Sequence, residues 1–261
     1  MLILYHSGWG IEKLVLTEAD FIRYGRQIIY PEFGESGQER LKQSHVVVAG
    51  LGGLGTPASV YLACAGIGHL TLVDCDLVEL SNLNRQVLYW EEDIGEKKPL
   101  SAARKLAKLN PTISITPLFE KIAEDNVRDI IRGANAVIDG MDNFETRHIL
   151  NSGCVVEGIP FVHGGIYGFL GEITTIIPGE TPCLSCIFST PPKKEGTFPV
   201  FGITPGFIAA LQVAEAIKLL AGFGDLLTNR MLYINGITME FNFCPLTKNP
   251  DCRVCGVRES P

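Results

Sequence analysis

The sequence predicts an α/β fold: a Rossmann-like, doubly wound, mostly parallel sheet continued by a C-terminal β-rich lobe with a four-cysteine zinc site. Three observations predict it. First, the apolar run Val46–Ala49 leads directly into Gly50-Leu51-Gly52-Gly53-Leu54-Gly55 and then an Ala-rich segment from Thr56 to Gly66. Strand, glycine turn and helix in that order make a nucleotide-binding signature. Second, short apolar runs and helical segments alternate from there to Val162, as a parallel sheet requires. Third, the pattern breaks at Gly171, and two matching pairs, Cys183-Leu-Ser-Cys186 and Cys252-Arg-Val-Cys255, follow. The chain reads as one domain over residues 1–261, with a core at 17–170 and a second lobe at 171–261.

In chain order, Met1–Gly10 gives no signal and is expected to fray. Thr17 is a good N-cap for a helix through Arg26, and Ser36–Gln43 forms a short helix before the first strand. Leu70–Val73 is the second strand. Pro99 sits where a first helical turn tolerates it, so Leu100–Leu109 is helical, Lys98 stands at its N-terminus and Asn110-Pro111 ends it. Ile113–Phe119 reads as a strand, Glu124–Arg132 as a helix and Ala136–Ile138 as a buried strand. Arg147–Val156 reads as a helix and Pro160–Val162 as the next strand. Glu172–Ile177 is a strand beyond the core, and proline-rich 178–199 a long loop. Ile203–Ala221 is one mostly buried helix, apolar except for Gln212, Glu215 and Lys218. Asn235-Gly236 predicts a tight hairpin between Leu232–Ile234 and Ile237–Met239.

Composition narrows the function classes. With 46% hydrophobic and 20% charged residues the chain is ordinary globular. A net charge of −7 with dispersed Lys and Arg argues against a nucleic-acid surface. No signal peptide or uncharged bilayer-length run is apparent, so a cytoplasmic protein without membrane association is expected. The two C-x-x-C pairs are read as metal ligands. With 65 residues between them, spacing alone leaves open a redox dithiol or unrelated buried residues. A closed, structural zinc site made by all four cysteines is the preferred reading. Cys64 and Cys154 read as small core residues, Cys75 between two acids as unreactive, and the five histidines as structural or surface.

In the glycine turn, Gly50 allows the bend, Gly52 and Gly53 let phosphate approach, and Gly55 permits close helix packing. Asp74, nineteen residues past Gly55, is placed for a ribose hydroxyl. Asp76 follows, then Ser81-Asn82-Leu83-Asn84-Arg85-Gln86 and Lys98. A dinucleotide site has no need of Arg and Lys gathered there, whereas a site holding a triphosphate does. A zinc-containing NAD-dependent oxidoreductase and a non-catalytic nucleotide-binding scaffold are the alternatives.

These motifs, with Met141-Asp142-Asn143, resemble the ThiF/MoeB/HesA adenylyltransferases, relatives of the ubiquitin-activating enzymes, from about Arg23 to Cys255. The resemblance implies ATP-dependent activation of the C-terminal glycine carboxylate of a small ubiquitin-like sulfur-carrier protein ending in Gly-Gly, with pyrophosphate released. It implies that Asn82, Arg85 and Lys98 neutralise the phosphates, that Gln86 and Asn143 belong to the same site, and that Asp142 holds Mg²⁺. Asp76 is implied as a further metal or ribose contact or a residue orienting Arg85. A homodimer is implied in which Arg26, in preference to Arg23, reaches the partner's triphosphate, and the four cysteines hold zinc. Several relatives carry a cysteine in the loop before the long helix. Here Lys194–Phe201 has none, and the chain stops soon after Cys255. A separate sulfur donor is therefore expected, and no appended sulfurtransferase domain. The pathway, molybdopterin, thiamine or another, stays open.

Overall fold

The computed structural model of the chain describes residues 16–189 and 198–256. The expected frayed segment Met1–Gly10 and residues 194–197 of the cysteine-free loop lie outside the described residues. Helix α1 (Glu18–Ile28) starts at Thr17, where Thr17 and Asp20 cap each other reciprocally. Then follow α2 (Gly34–Gln43), β1 (His45–Ala49), α3 (Gly55–Ala65), β2 (His69–Asp74), α4 (Lys98–Leu109), β3 (Ser114–Phe119), α5 (Val127–Ile131) and β4 (Ala136–Asp139). The rest is α6 (Phe144–Glu157), β5 (Phe161–Tyr167), β6 (Leu170–Ile176), α7 (Leu184–Ile187), α8 (Ile203–Ala221), β7 (Arg230–Asn235) and β8 (Glu240–Pro245).

Among the described residues these strands form one sheet, ordered β3-β2-β1-β4-β5-β6-β7-β8. Pairing is parallel from β3 to β5 and antiparallel from β5 to β8. The order reverses between β1 and β4, and at such a switch a crevice opens beyond the C-terminal strand ends. Alternation within the valine run assigns each residue a side. Val46 and Val48 join the core under α3 and α8, while Val47 joins Val137 and Phe161 against α5 and α6.

Helix α8 is long and apolar enough to cross a bilayer by length and composition. In the structure it packs on α2, α3, β5 and β6. Its polar stripe points inward: Gln212 Nε2 donates to the carbonyls of Asp139 (2.9 Å) and Val162 (3.0 Å). Glu215 accepts from Thr175 and from the Leu227 amide, both at 2.6 Å, and is ion-paired with Lys218.

Four local expectations are corrected. Helix α5 is shorter than 124–132, because Asn126 Oδ1 accepts the Ala123 amide in a turn that precedes it. Within 178–199, Cys183 opens the short helix α7. The hairpin loop is wider than Asn235-Gly236: Asn235 Oδ1 accepts the Ile237 amide, Met239 takes φ +58°, and β8 begins only at Glu240. Cys64 is exposed, since with Tyr61 it lies on the outward face of α3. Cys154 is buried as expected. His45 and His69 stack with ring centroids 4.1 Å apart across β1 and β2, at the sheet edge opposite the crevice.

The segment between β2 and α4 is anchored by Asp93, which is fully buried. Its carboxylate accepts from the Trp90 amide (2.7 Å), Ser101 (2.9 Å) and Arg104 (2.9 Å), and pairs with Lys105. Burial opposes the charge, but Lys105, the Trp90 amide and Ser101 hold the carboxyl below its usual range. A depressed pKa contributes stability above the unfolded value of about 3.9, and that stability is lost as pH falls through the folded pKa. Asp93→Asn is expected to be less stable at pH 7 and to show a flatter acid limb in urea midpoints measured from pH 6 to 3. An unchanged acid limb would refute this.

Candidate functional site

The crevice is a cavity of about 1180 Å³. Gly50, Gly52 and Gly53 form one wall, Asp74, Asn82, Arg85, Gln86 and Lys98 a second, and the Gly140–Phe144 turn a third. Its far end is lined by Tyr167, Leu170, Glu172, Phe198, Val200 and Tyr233.

Glycines are needed where β1 and β4 end because the two turns touch. A Cβ on Gly50 (φ +88°) would lie 2.6 Å from the Gly140 carbonyl oxygen, and one on Gly140 2.4 Å from that of Gly50. Gly55 lines no part of the cavity; its Cβ would fall 1.8 Å from the Gly50 oxygen, so it sets the fit of α3 on the turn. Gly52 faces open space, the nearest atom to its Cβ being Gln86 Nε2 at 3.8 Å. Gly55→Ala is expected to lose about 3 kcal/mol or more by overpacking. Gly52→Ala is expected to keep its melting temperature and to bind ATP roughly tenfold more weakly, because the added methyl group would hold a phosphate off the loop amides. Thermal melts with ATP titrations check both; equal melting temperatures for the two variants would refute the assignment.

Asp74 holds the turn as well as facing the cavity. It accepts the Leu51 amide at 2.7 Å and the Asp76 amide at 2.8 Å. Burial pushes its carboxyl up, against Lys98 and these two amides. Lys98 is almost fully buried at the N-terminus of α4, and its Nζ lies 3.0 Å from Asp76. Asp76 therefore orients Lys98, and Arg85 is held elsewhere, by the Ser81 carbonyl (2.8 Å) and Asn84 Oδ1 (2.9 Å). Asn82 caps the turn that carries Arg85, accepting the Glu79 amide at 3.1 Å. Gln86 is buried and lines the cavity, and its Oε1 is unpartnered among the described residues.

Asp142 is exposed on the cavity wall, with Asn143 Nδ2 3.2 Å from its Oδ1. Asn143 also caps α6 through the Thr146 amide, which fixes the turn before it. An exposed carboxylate on this wall is a donor of the kind that suits Mg²⁺, an ion that would draw its remaining ligands from a bound phosphate and water. Arg26 is exposed on α1 and lies outside this chain's own cavity, while Arg23 bonds the Leu109 carbonyl at 3.2 Å. Sequence reasoning missed Asp139, His163 and Glu172, and saw Arg147 only as the start of a helix; together they form a buried charged group behind the Asp142 turn. Two signals pointed toward it: Asp139 ends a buried strand, and His163 lies in another.

The two cysteine pairs meet. Cys183 Sγ lies 3.6 Å from that of Cys252, Cys186 Sγ 3.3 Å from that of Cys255, and all four sulfurs fall within 4.8 Å of one another. A zinc ion about 2.3 Å from four thiolates needs edges of about 3.8 Å, so the donors fit. The Asn249 amide points at Cys186 Sγ at 3.4 Å, as thiolate ligands favour.

Known proteins are similar to this chain in sequence and in fold. The chain is 45% identical over 249 residues to the SAMP-activating enzyme E1 of Haloferax volcanii, covering 93% of this chain and 92% of that protein. It is 41% identical over 251 residues to the sulfur carrier protein adenylyltransferase of Thermus thermophilus, covering 92% of each. The crystal structure of E. coli MccB with ATP superposes with a TM-score of 0.81 at 28% identity, covering 90% of this chain and 74% of that one. The ThiF family model matches residues 24–254. With the glycine turn, the Arg85–Lys98 wall and three of the four clustered cysteines within that span, this chain belongs to the ThiF family.

Proposed function

We propose that this chain is an ATP-dependent adenylyltransferase that activates the C-terminal glycine carboxylate of a small ubiquitin-like sulfur-carrier protein. The observation that carries the reading is one continuous cavity lined both by the glycine turn with Arg85 and Lys98 and, on the β5–β7 side, by Tyr167, Leu170, Val200 and Tyr233, the lane we assign to the carrier's tail. A peptide tail entering the lane would bring its carboxylate to the phosphates.

A carboxylate oxygen attacks the α-phosphorus, the bond to the bridging oxygen breaks, and pyrophosphate leaves with its electrons. The tail carboxyl, with pKa about 3.5, is already ionised and needs no base. The protein's work is alignment and relief of repulsion between anions. Gly52 and Gly53 present backbone amides at the start of α3. Arg85 and Lys98 offset phosphate charge, and Asp74 receives the ribose.

Among the described residues, six carboxylates line the cavity (Asp74, Asp76, Glu79, Glu120, Asp142, Glu172) against four cations, Arg85, Lys98, Lys121 and Arg147. A triphosphate in such a site calls for added positive charge. Asp142 would hold Mg²⁺, which when bound supplies that charge, and Arg26 of a partner subunit would supply more. We read the four cysteines as structural zinc ligands, the protein as a homodimer, and the sulfur donor as separate. A cytoplasmic location suits the exposed free thiols of Cys64, Cys75 and Cys244.

The test is exchange of labelled pyrophosphate into ATP with a Gly-Gly carrier. Asp142→Ala and Arg26→Ala homodimers are each expected to be inactive. Mixing them should restore activity, because the mixed dimer keeps one complete site of its two. Absence of exchange in the wild-type protein would sink the adenylylation reading; absence of recovery on mixing would sink the shared site.

A further inference from the structure

Asp139 closes β4 and is completely buried. A buried carboxylate without partners is strongly destabilising, and here three groups answer it. His163 Nδ1 lies 2.7 Å and Arg147 Nε 3.1 Å from Oδ2, and the Met141 amide donates to Oδ1 at 3.0 Å. Arg147 Nη2 donates in turn to the carbonyls of Met141 (2.6 Å) and Gly164 (2.9 Å). Both backbone polar groups of Met141, the residue just before Asp142, are therefore held by this one cluster. On its other side, His163 Nε2 lies 3.4 Å from Glu172, whose carboxylate returns to the cavity wall beside Tyr233.

Burial opposes both charges at the centre. Even so, Arg147 and His163 hold the Asp139 carboxyl below its usual range, and Asp139 with Glu172 hold the His163 imidazole above its own. Neutral hydrogen bonds would close a strand end at lower desolvation cost. What charge-assisted bonds add is a single, stiff geometry for the turn.

We propose that Arg147 and His163 are positioning residues: acting through Asp139, they fix the 140–143 turn and so hold Asp142 where the metal-bound triphosphate sits. This rests on the reading of Asp142 above. Partners that orient a metal ligand are typically worth roughly 10–100-fold in metal affinity.

The experiment uses the full chain carrying Arg147→Lys, His163→Gln or Glu172→Gln. Hydrogen–deuterium exchange follows the Met141 amide, and calorimetry follows ATP binding in EDTA and across a Mg²⁺ titration. In His163→Gln and Arg147→Lys, Met141 exchange is expected to quicken and the Mg²⁺ half-saturation to rise by roughly tenfold. Protection of β1 and β2 and ATP affinity in EDTA should stay at wild-type values. Glu172→Gln, partly exposed at the far end of the cluster, should show the same changes more weakly, and it decides the matter if the other two do not fold. Folded variants with unchanged Met141 exchange and Mg²⁺ dependence overturn the proposal. So does protection lost evenly across the sheet, which marks a merely structural role. If wild-type ATP binding itself ignores Mg²⁺, the Asp142 reading fails, while the exchange data still judge the hold on the turn.

Discussion

Replacing Lys98 with methionine is expected to lower carrier-dependent pyrophosphate exchange by roughly 10²–10³-fold, the usual loss when one preorganised charge-stabilising group is removed. Methionine keeps most of the buried stem and removes only the ammonium. The partner left behind, Asp76, is well exposed and can be solvated, so the fold should survive. Within the cavity Lys98 is the buried cation at a helix N-terminus, where little water competes with it for phosphate. Its loss should appear mainly in kcat, because the charge is most needed as pyrophosphate departs. Exchange kinetics with thermal melts decide the point. A folded Lys98→Met protein with activity within threefold of wild type would remove Lys98 from the mechanism and, with it, the role assigned to Asp76.

The second large effect is expected in stability. Cys252→Ser should yield protein without zinc and with a melting temperature lower by about 5–15 °C. Structural zinc is worth roughly 10–16 kcal/mol in small peptides, and a quarter of that in a chain of this size shifts melting by about that much. The reason lies in how the end of the lobe is held. After β8 the described chain has no helix or strand, and its ties to α7 and the preceding turn include the sulfur cluster, Lys248 on the Gly179 carbonyl and Asn249 on Cys186. Cys183, Leu184 and Cys252 also close one side of the core around Phe161. Four thiolates would leave a zinc ion no open coordination position, so exchange activity measured below the melting transition should fall far less than stability. Elemental analysis and calorimetry check both halves. Zinc-free wild-type protein, or Cys252→Ser melting with wild type, would refute the assignment.

Sequence alone determined those features in which local periodicity and packing agree. The strand, glycine turn and helix at 45–65, the run at 69–74 and helix 203–221 are stretches whose burial follows from their own apolar pattern, and each stands within a residue or two of its expected limits. Asp74, Asp76 and Asp142 were legible for a different reason: they sit at or just past strand ends, where an open α/β sheet places its ligand, whereas Asn82, Arg85, Gln86 and Lys98 were named through the family resemblance. Sequence reading failed where one side chain competes with the local pattern, as at Asn126 before α5 and Asn235 in the hairpin.

Tertiary structure decided everything that depends on pairing between residues far apart in the chain. It joined the two cysteine pairs, matched Asp76 to Lys98 in place of Arg85, turned Gln212 and Glu215 inward, and assembled Asp139, Arg147, His163 and Glu172 into one charged group. The physical reason is common to all four. A buried charge or thiolate is tolerable only beside a complementary partner, and which partner it meets is set by strand order and register, which no single segment encodes.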